Sequence, residues 1–167
     1  MQVNLQKFDS VGDLEKHINF YRQKNTTTML LGKDSIVKNG AYVFSTKIND
    51  IYYEIGLITQ NALKPECVVI ENFVFVGFND EVDIINNEEV VGTYRTLAPF
   101  YEFIQYKDYV LAIFEIDVIC FDKTGVIFWE YVADDIITDF FVRENYIVIK
   151  FDEDIITIDI STGEKLQ

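Results

Sequence analysis

The chain has 167 residues, of which 49% are hydrophobic, and its formal net charge at pH 7 is −14. A hydrophobic share of this size supports a packed core in one domain and argues against disorder. The charge argues against a nucleic-acid-binding protein, because phosphate recognition needs basic surface. No window approaches the ~18 apolar residues of a membrane span, and the first ten residues lack the basic and apolar stretches of a secretory signal. We therefore expect no membrane contact and a cytoplasmic location.

The first segment, residues 1–28, predicts one short strand followed by one helix. Residues 2–7 form the candidate strand. Ser10 has the right side chain to accept hydrogen bonds from the free amides of a first helical turn, and Asp13 lies where the helix dipole favours an anion. Apolar residues recur at three- and four-residue steps, which predicts a helix that ends near Gln23. They are Val11, Leu14, Ile18 and Tyr21.

Residues 29–65 change to a strand pattern. Asn39-Gly40 and Asn49-Asp50 are turn signals between apolar runs. Residues 35–43 align with residues 66–74, so this segment is interpreted as a degenerate copy of the repeat that follows.

Three clear copies of one repeat fill residues 66–167. They run from Glu66 to Glu89, from Glu102 to Gly125 and from Asp139 to Gly163, at spacings of 36 and then 37 residues. Equivalent positions hold the same residue types: Phe73, Tyr109 and Tyr146; Phe78, Phe114 and Phe151; Val82, Val118 and Ile155; Asn86, Asp122 and Asp159. A period of this size predicts an array of supersecondary units that bury their apolar faces against one another.

Each copy predicts four short strands. In the middle copy they are Phe103–Tyr106, Tyr109–Phe114, Val118–Phe121 and Val126–Val132. The connections are of hairpin length, so neighbouring strands are expected to be antiparallel. Four antiparallel strands repeated at this period are typical of a propeller blade.

One motif carries a family resemblance. Asp122-Lys123-Thr124-Gly125 followed by Trp129 resembles the D-x-x-T-G-x-x-x-W blade end of quinoprotein-like (PQQ-like) propellers, and Asp159 to Gly163 repeats it without the Trp. The resemblance, which extends to WD40-like blades, covers about residues 66–167 and implies a blade fold without a function. No quinone-binding or metal-binding residues of that class have equivalents here, so we expect neither cofactor nor metal.

The predicted fold is therefore all-β, with repeated four-stranded antiparallel propeller-like blades and one N-terminal α-helix in a single domain, 1–167. It has 12 to 14 strands, and its blades form a minimal or incomplete propeller or a curved stack of sheets. An open stack would need its exposed edges covered by the N-terminal strand, the helix or a second subunit.

No catalytic residues are predicted. His17 is the only histidine and has no partner at a defined spacing, so it is interpreted as a surface residue. Cys67 and Cys120 lie in apolar runs outside any C-x-x-C motif, which favours buried free thiols and a reducing compartment. Residues 79–81 and 152–154 resemble fragments of calcium loops but lack the spacing that surrounds an ion.

The charge is concentrated in the repeats. Residues 1–64 hold eight Lys/Arg and six Asp/Glu, for +2, and residues 65–167 hold six and 22, for −16. In an up-and-down sheet, the turns between strands two and three lie at the same end as the links to the next copy. We name this end the acidic rim, and its turns and links carry no Lys or Arg in the three copies. Its predicted partner-binding residues are Asp80, Glu81, Glu115, Asp117, Asp134, Asp135, Asp152, Glu153 and Asp154. The opposite end, the mixed rim, carries both charges.

Three functions remain open from the sequence. The first is a non-enzymatic binding module, such as an immunity protein or inhibitor whose acidic rim covers a basic toxin or nuclease. The second is a hydrolase or lyase that uses carboxylates in a cleft between sheets. The third is a structural subunit that assembles through open sheet edges.

Overall fold

The computed structural model describes residues 3–24, 26–152 and 154–166. It contains the single helix α1 (Val11–Arg22) and sixteen strands within those residues. The strands are β1 (Asn4–Phe8), β2 (Thr27–Leu31), β3 (Gly40–Ile48), β4 (Ile51–Thr59), β5 (Glu66–Ile70), β6 (Phe73–Phe78), β7 (Glu81–Asn86), β8 (Glu89–Arg95), β9 (Phe100–Tyr106), β10 (Tyr109–Phe114), β11 (Asp117–Asp122), β12 (Ile127–Val132), β13 (Ile137–Arg143), β14 (Tyr146–Phe151), β15 (Asp154–Asp159) and β16 (Lys165–Leu166). The expected 12 to 14 strands were too few, because the N-terminal segment contributes four of its own.

The first sheet has the strand order β1-β3-β4-β2. β1 and β3 pair antiparallel, as do β3 and β4, but β2 pairs parallel with β4 because α1 returns the chain to the starting end of the sheet. The alignment of residues 35–43 with 66–74 placed a strand at 35–39, where the structure has a loop. The first sheet therefore has four strands, but its topology differs from that of the repeats.

Helix α1 forms as the sequence predicts and packs on the first sheet. The Ser10 hydroxyl accepts a hydrogen bond from the Asp13 amide at 3.1 Å, and Leu14 and Ile18 are buried. His17, interpreted as a surface residue, is instead part-buried, and its Nε2 lies 2.9 Å from an Oε atom of the buried Glu54. A pattern on α1 alone could not reveal this pair, because the carboxylate comes from β4.

The second, third and fourth sheets each contain one copy of the repeat. Their orders are β5-β6-β7-β8, β9-β10-β11-β12 and β13-β14-β15-β16, with every neighbouring pair antiparallel. The predicted four-stranded antiparallel units are therefore confirmed.

The sheets stack face to face in chain order. One hydrophobic core joins the first sheet to the second, another joins the second to the third, and another joins the third to the fourth. The recurring phenylalanine of the repeat always faces the preceding sheet. Phe78 packs toward the first sheet, Phe114 toward the second and Phe151 toward the third. One residue position thus supplies an equivalent contact in each copy.

The D-x-x-T-G turn also contacts the preceding sheet. The Asp122 carboxylate accepts hydrogen bonds from the amides of Thr124 and Val126, at 2.8 and 3.0 Å. Gly125 has φ +83°, and a Cβ there would lie 2.7 Å from a methyl group of Ile84 in the second sheet. Gly163 likewise has φ +75°, and its Cβ would lie 2.7 Å from the Trp129 ring in the third sheet. Both the turn conformation and the close approach therefore require glycine.

Candidate functional site

Backbone hydrogen bonds join the links of the acidic rim to two of its turns. The link between the second and third sheets is bonded to the β6–β7 turn, since the amides of Thr96 and Phe100 donate to the carbonyls of Asp80 and Asn79, at 2.9 and 2.7 Å. The next link repeats this arrangement, since the amide of Ile137 donates to the Glu115 carbonyl at 2.7 Å. The two links are therefore held to the β6–β7 and β10–β11 turns by backbone hydrogen bonds.

The structure brings the described rim residues to this one end, as the up-and-down topology requires, but exposes them unequally. Exposed side chains are those of Asp80, Asp134, Asp135, Asp152 and Asp154. Glu115 and Asp117 are half-buried, and Glu81 is only 8% exposed. Glu153 lies outside the described residues. Of the predicted set, Glu81 is thus the residue least able to touch a partner.

Glu81 belongs to a buried pair of carboxylates on β7. Its Oε2 accepts a hydrogen bond from Arg95 Nε at 2.5 Å, and the Asp83 carboxylate accepts one from the Thr93 hydroxyl at 2.5 Å. All four side chains line an open cleft of about 560 Å³ between the first and second sheets. Burial raises the pKa of Glu81 although Arg95 opposes it, and burial also raises the pKa of Asp83.

The charge of the rim changes along the stack. At the first and second sheets, Lys33 and Arg95 line the cleft beside the carboxylates. At the third and fourth sheets, Asp134, Asp135 and Asp152 are exposed, and no described Lys or Arg forms an ion pair with them. The uncompensated negative surface is therefore the half of the rim built by the third and fourth sheets.

Two exposed aliphatic side chains lie on the rim links, and the sequence reasoning missed both. Leu97 is fully exposed in the link between the second and third sheets, and Ile136 is 48% exposed in the next link. The sequence held a signal for both, because each aliphatic residue lies in a predicted link at the surface and not in a strand of the core. Single exposed aliphatic groups are common on protein surfaces, and these two add apolar area beside the charged turns.

The mixed rim uses its charges differently. Lys123 Nζ lies 2.7 Å from the Glu71 carboxylate and so joins the third sheet to the second. Lys107 Nζ donates to the Asn145 side chain at 3.1 Å and joins the third sheet to the fourth. Charged groups at this end therefore bridge neighbouring sheets, which those of the acidic half do not.

Other candidate chemistry has little support in the described residues. Cys67 and Cys120 are free thiols whose pKa values burial raises to about 12, so both stay protonated and unreactive at neutral pH. No group of three or more His, Cys, Asp or Glu side chains in the described ranges is arranged to hold a metal ion. Among the same residues, no helix has the length and apolar character needed to cross a membrane.

The raised carboxyl pKa values predict a stability that increases on mild acidification. Burial raises the pKa values of Glu81, Asp83 and Asp117 above their ordinary values of 4.5, 3.8 and 3.8. Between pH 7 and these raised pKa values, the folded state therefore binds more protons than the unfolded state. The free energy of unfolding consequently rises as pH falls through this range. Urea unfolding at pH 7, 5 and 3 measures this dependence.

At lower pH the sign reverses. Asp122 and Asp159 have pKa values below 3.8: a hydrogen bond from Ser161 lowers that of Asp159, and for Asp122 the bonds from Thr124 and Val126 outweigh the effect of burial. Their contribution is lost as pH falls through these lowered values. Asp83→Asn should flatten the rise between pH 7 and 5. A stability that declines steadily from pH 7 downward would contradict this account.

Comparison with known proteins shows the architecture. No protein-family profile and no curated protein matches the chain. Among solved structures it is similar to BamB from Moraxella catarrhalis, with a TM-score of 0.50 and 16% identity over 78% of this chain and 47% of that one. It is also similar to a fragment of HIRA, with a TM-score of 0.49 and 9% identity over 76% and 44% of the two chains. These sheets are β-propeller blades.

The blade assignment confirms the resemblance that the D-x-x-T-G motif carries. The chain spans less than half the length of either structure, 47% and 44%. Its four sheets form an open stack and not a closed ring. At such low identities the likeness describes the fold alone, so the function must be argued from this chain's own surfaces.

Proposed function

We propose that this protein is a non-enzymatic module that binds a basic protein partner on the acidic half of the rim. The observation that carries the proposal is the exposure of Asp134, Asp135, Asp152 and Asp154 at one end of the third and fourth sheets, with no ion pair to any described cation. Clustered like charges repel one another and weaken the fold. A surface that is kept despite this cost supports a functional role such as binding.

Two physical effects suit this surface to a basic partner. The summed negative field steers a positively charged protein toward the rim and raises the association rate. Leu97 and Ile136 then offer apolar contact area beside the charges. Because the link that carries Asp134 and Asp135 is hydrogen-bonded to the β10–β11 turn, this part of the surface is already ordered, and less conformational entropy is lost on binding.

A concrete form of the partner is a basic toxin or nuclease. A nuclease surface that binds phosphates is basic, and carboxylates can occupy the positions that phosphates would take. In this form the protein is an immunity protein or inhibitor. Its acidic rim covers the basic surface of the nuclease and so blocks the access of nucleic acid to that surface.

The test compares two variants with the same change in charge. The rim variant replaces Asp134, Asp135, Asp152 and Asp154 by Asn, and Asn at 135 retains an acceptor for the Ile136 amide. The control replaces four exposed acidic residues of the mixed rim by their amides: Glu88, Asp108, Glu144 and Glu164. Association with a panel of purified basic nucleases is measured at low and at physiological salt, together with inhibition of nuclease activity.

The rim variant should associate about 10-fold or more slowly at low salt, and the control should keep the wild-type rate. Physiological salt should remove much of the difference, since the Debye length is then about 8 Å. Equal rates for the two variants would leave the rim without a role in recognition.

A second candidate function follows from the cleft between the first and second sheets. Glu81 and Asp83 are buried there with raised pKa values, as a carboxylate acid or base in a hydrolase or lyase would be. Binding remains the better-supported proposal, because the two carboxylates already accept hydrogen bonds from Arg95 and Thr93.

A further inference from the structure

The fourth sheet has one face that no other described part of the chain covers. On the side of the fourth sheet away from the third, Phe141, Ile155 and Leu166 are 41%, 63% and 45% exposed. Tyr146 and Val148 lie among them and are half-buried. We call these five residues the outer face of the fourth sheet. Strand register places them on one side, since Phe141 pairs with Val148 and Thr157 pairs with Leu166.

The repeat indicates what kind of surface covers such a face. The equivalents of Val148 and Ile155 in the third sheet are Leu111 and Val118, and both are 0% exposed against the fourth sheet. In the second sheet the equivalents are Phe75 and Val82, likewise buried against the third sheet. The positions that form the outer face of the fourth sheet are thus covered by the next sheet in both the second and the third sheets.

The other end of the stack is already closed. Helix α1 buries Leu14 and Ile18 against Val43 and Ile58 on the free side of the first sheet. A second copy of the chain therefore cannot offer its first sheet to this fourth sheet, and the head-to-tail contact that would propagate into a filament is blocked. Stacking of two copies through this face then joins two fourth sheets about a twofold axis, and such a contact stops at a dimer.

The charges on the outer face suit that arrangement. On a chain of net charge −14, this face carries the ion pair of Asp139 and Lys150 at one end, at 2.8 Å, and Arg143 and the half-buried Asp159 at the other. A twofold axis across the strands places Arg143 of each copy toward the Asp139 end of the other, where Asp152 and Asp154 lie nearby. The two cations and two anions of this face sum to zero, so the face adds little repulsion between two acidic molecules.

We infer that two copies of this chain associate through the outer faces of their fourth sheets. β13, β14 and β15 have six or seven residues each, whereas β16 has only two. At ~4.8 Å between strands and ~3.3 Å per residue, the face measures roughly 15 by 20 Å, with β16 adding a little at one edge. Two such faces bury less than the ~1,200 Å² typical of stable specific interfaces, so the dimer is weak and concentration-dependent. The apolar residues of this interface lie outside the acidic rim, although Asp152 and Asp154 lie at its border, and failure of the dimer would leave the proposed function intact.

Sedimentation velocity of the whole chain, from about 5 to about 500 µM, tests the inference over the range expected for a small interface. The wild type should pass from monomer to dimer and form nothing larger. Ile155→Glu should raise the dissociation constant at least ~10-fold, because it places two unpaired charges in the interface. Arg143→Glu, at an exposed position, should weaken the dimer in the same direction.

The matched control is Val91→Glu, which changes a β-branched residue that is 56% exposed on strand β8. It should leave the dissociation constant unchanged, and circular dichroism should report folded protein for all variants. A chain that stays monomeric across the range, that grows beyond dimers, or that responds equally to Ile155→Glu and Val91→Glu would overturn the inference.

Discussion

Replacing Phe114 by alanine is expected to lower the free energy of unfolding by about 3–5 kcal/mol. The side chain is 0% exposed in the core between the second and third sheets, and its ring lies 5.6 Å from that of Phe100 in an edge-to-face contact. Alanine leaves a cavity whose walls are inner strands of two sheets and which cannot collapse easily. Urea unfolding, followed by circular dichroism, measures the change.

Phe128→Ala is the matched control. Phe128 is 48% exposed on strand β12, although its ring lies 5.4 Å from that of Tyr109. Its loss should cost about 1 kcal/mol or less, since most of its area stays in water in the folded state. Similar losses for the two variants would contradict the assignment of Phe114 to the inter-sheet core.

Trp129→Ala is expected to lower the free energy of unfolding by about 3–5 kcal/mol and to loosen the fourth sheet more than the others. The indole Nε1 donates a hydrogen bond to the Ile160 carbonyl at 2.8 Å, and Gly163 packs against the ring. Trp129 belongs to the third sheet, and both of these partners belong to the fourth. The substitution therefore weakens the interface between the third and fourth sheets. Hydrogen exchange should show faster exchange in β14 and β15 than in β6 and β7.

Trp129→Phe separates packing from hydrogen bonding. It keeps an aromatic ring against Gly163 but removes the donor to the Ile160 carbonyl, so the expected loss is about 1–3 kcal/mol. An alanine variant whose amide exchange rises evenly in all four sheets would show that Trp129 does not act mainly at this interface.

The repeat made most of the fold predictable. In the middle copy the predicted strand Tyr109–Phe114 is the observed β10, and Val118–Phe121 lies within β11. Phe78, Phe114 and Phe151 fell on one repeat position, and each is buried toward the preceding sheet. Three copies of one pattern report the same hydrophobic environment three times, which is why these assignments were reliable.

The first sheet and the details of the rim were less predictable for physical reasons. Strand β2 follows the helical crossover from β1 and pairs parallel with β4, and no local pattern specifies a partner so distant in sequence. Glu81 was grouped with the exposed acids because its turn position suggested solvent. Its burial depends on Arg95, fourteen residues later on the neighbouring strand. Leu97 was missed because strand periodicity does not apply within a link.

The contacts made by the repeated turns all run in one direction along the chain. Gly125 meets Ile84, and Gly163 meets Trp129, so each new sheet docks on one that precedes it in sequence. During synthesis the earlier sheet is already outside the ribosome when the later turn emerges. The stack can therefore assemble progressively from α1 and the first sheet toward the fourth sheet, with each new sheet docking on one that has already been made.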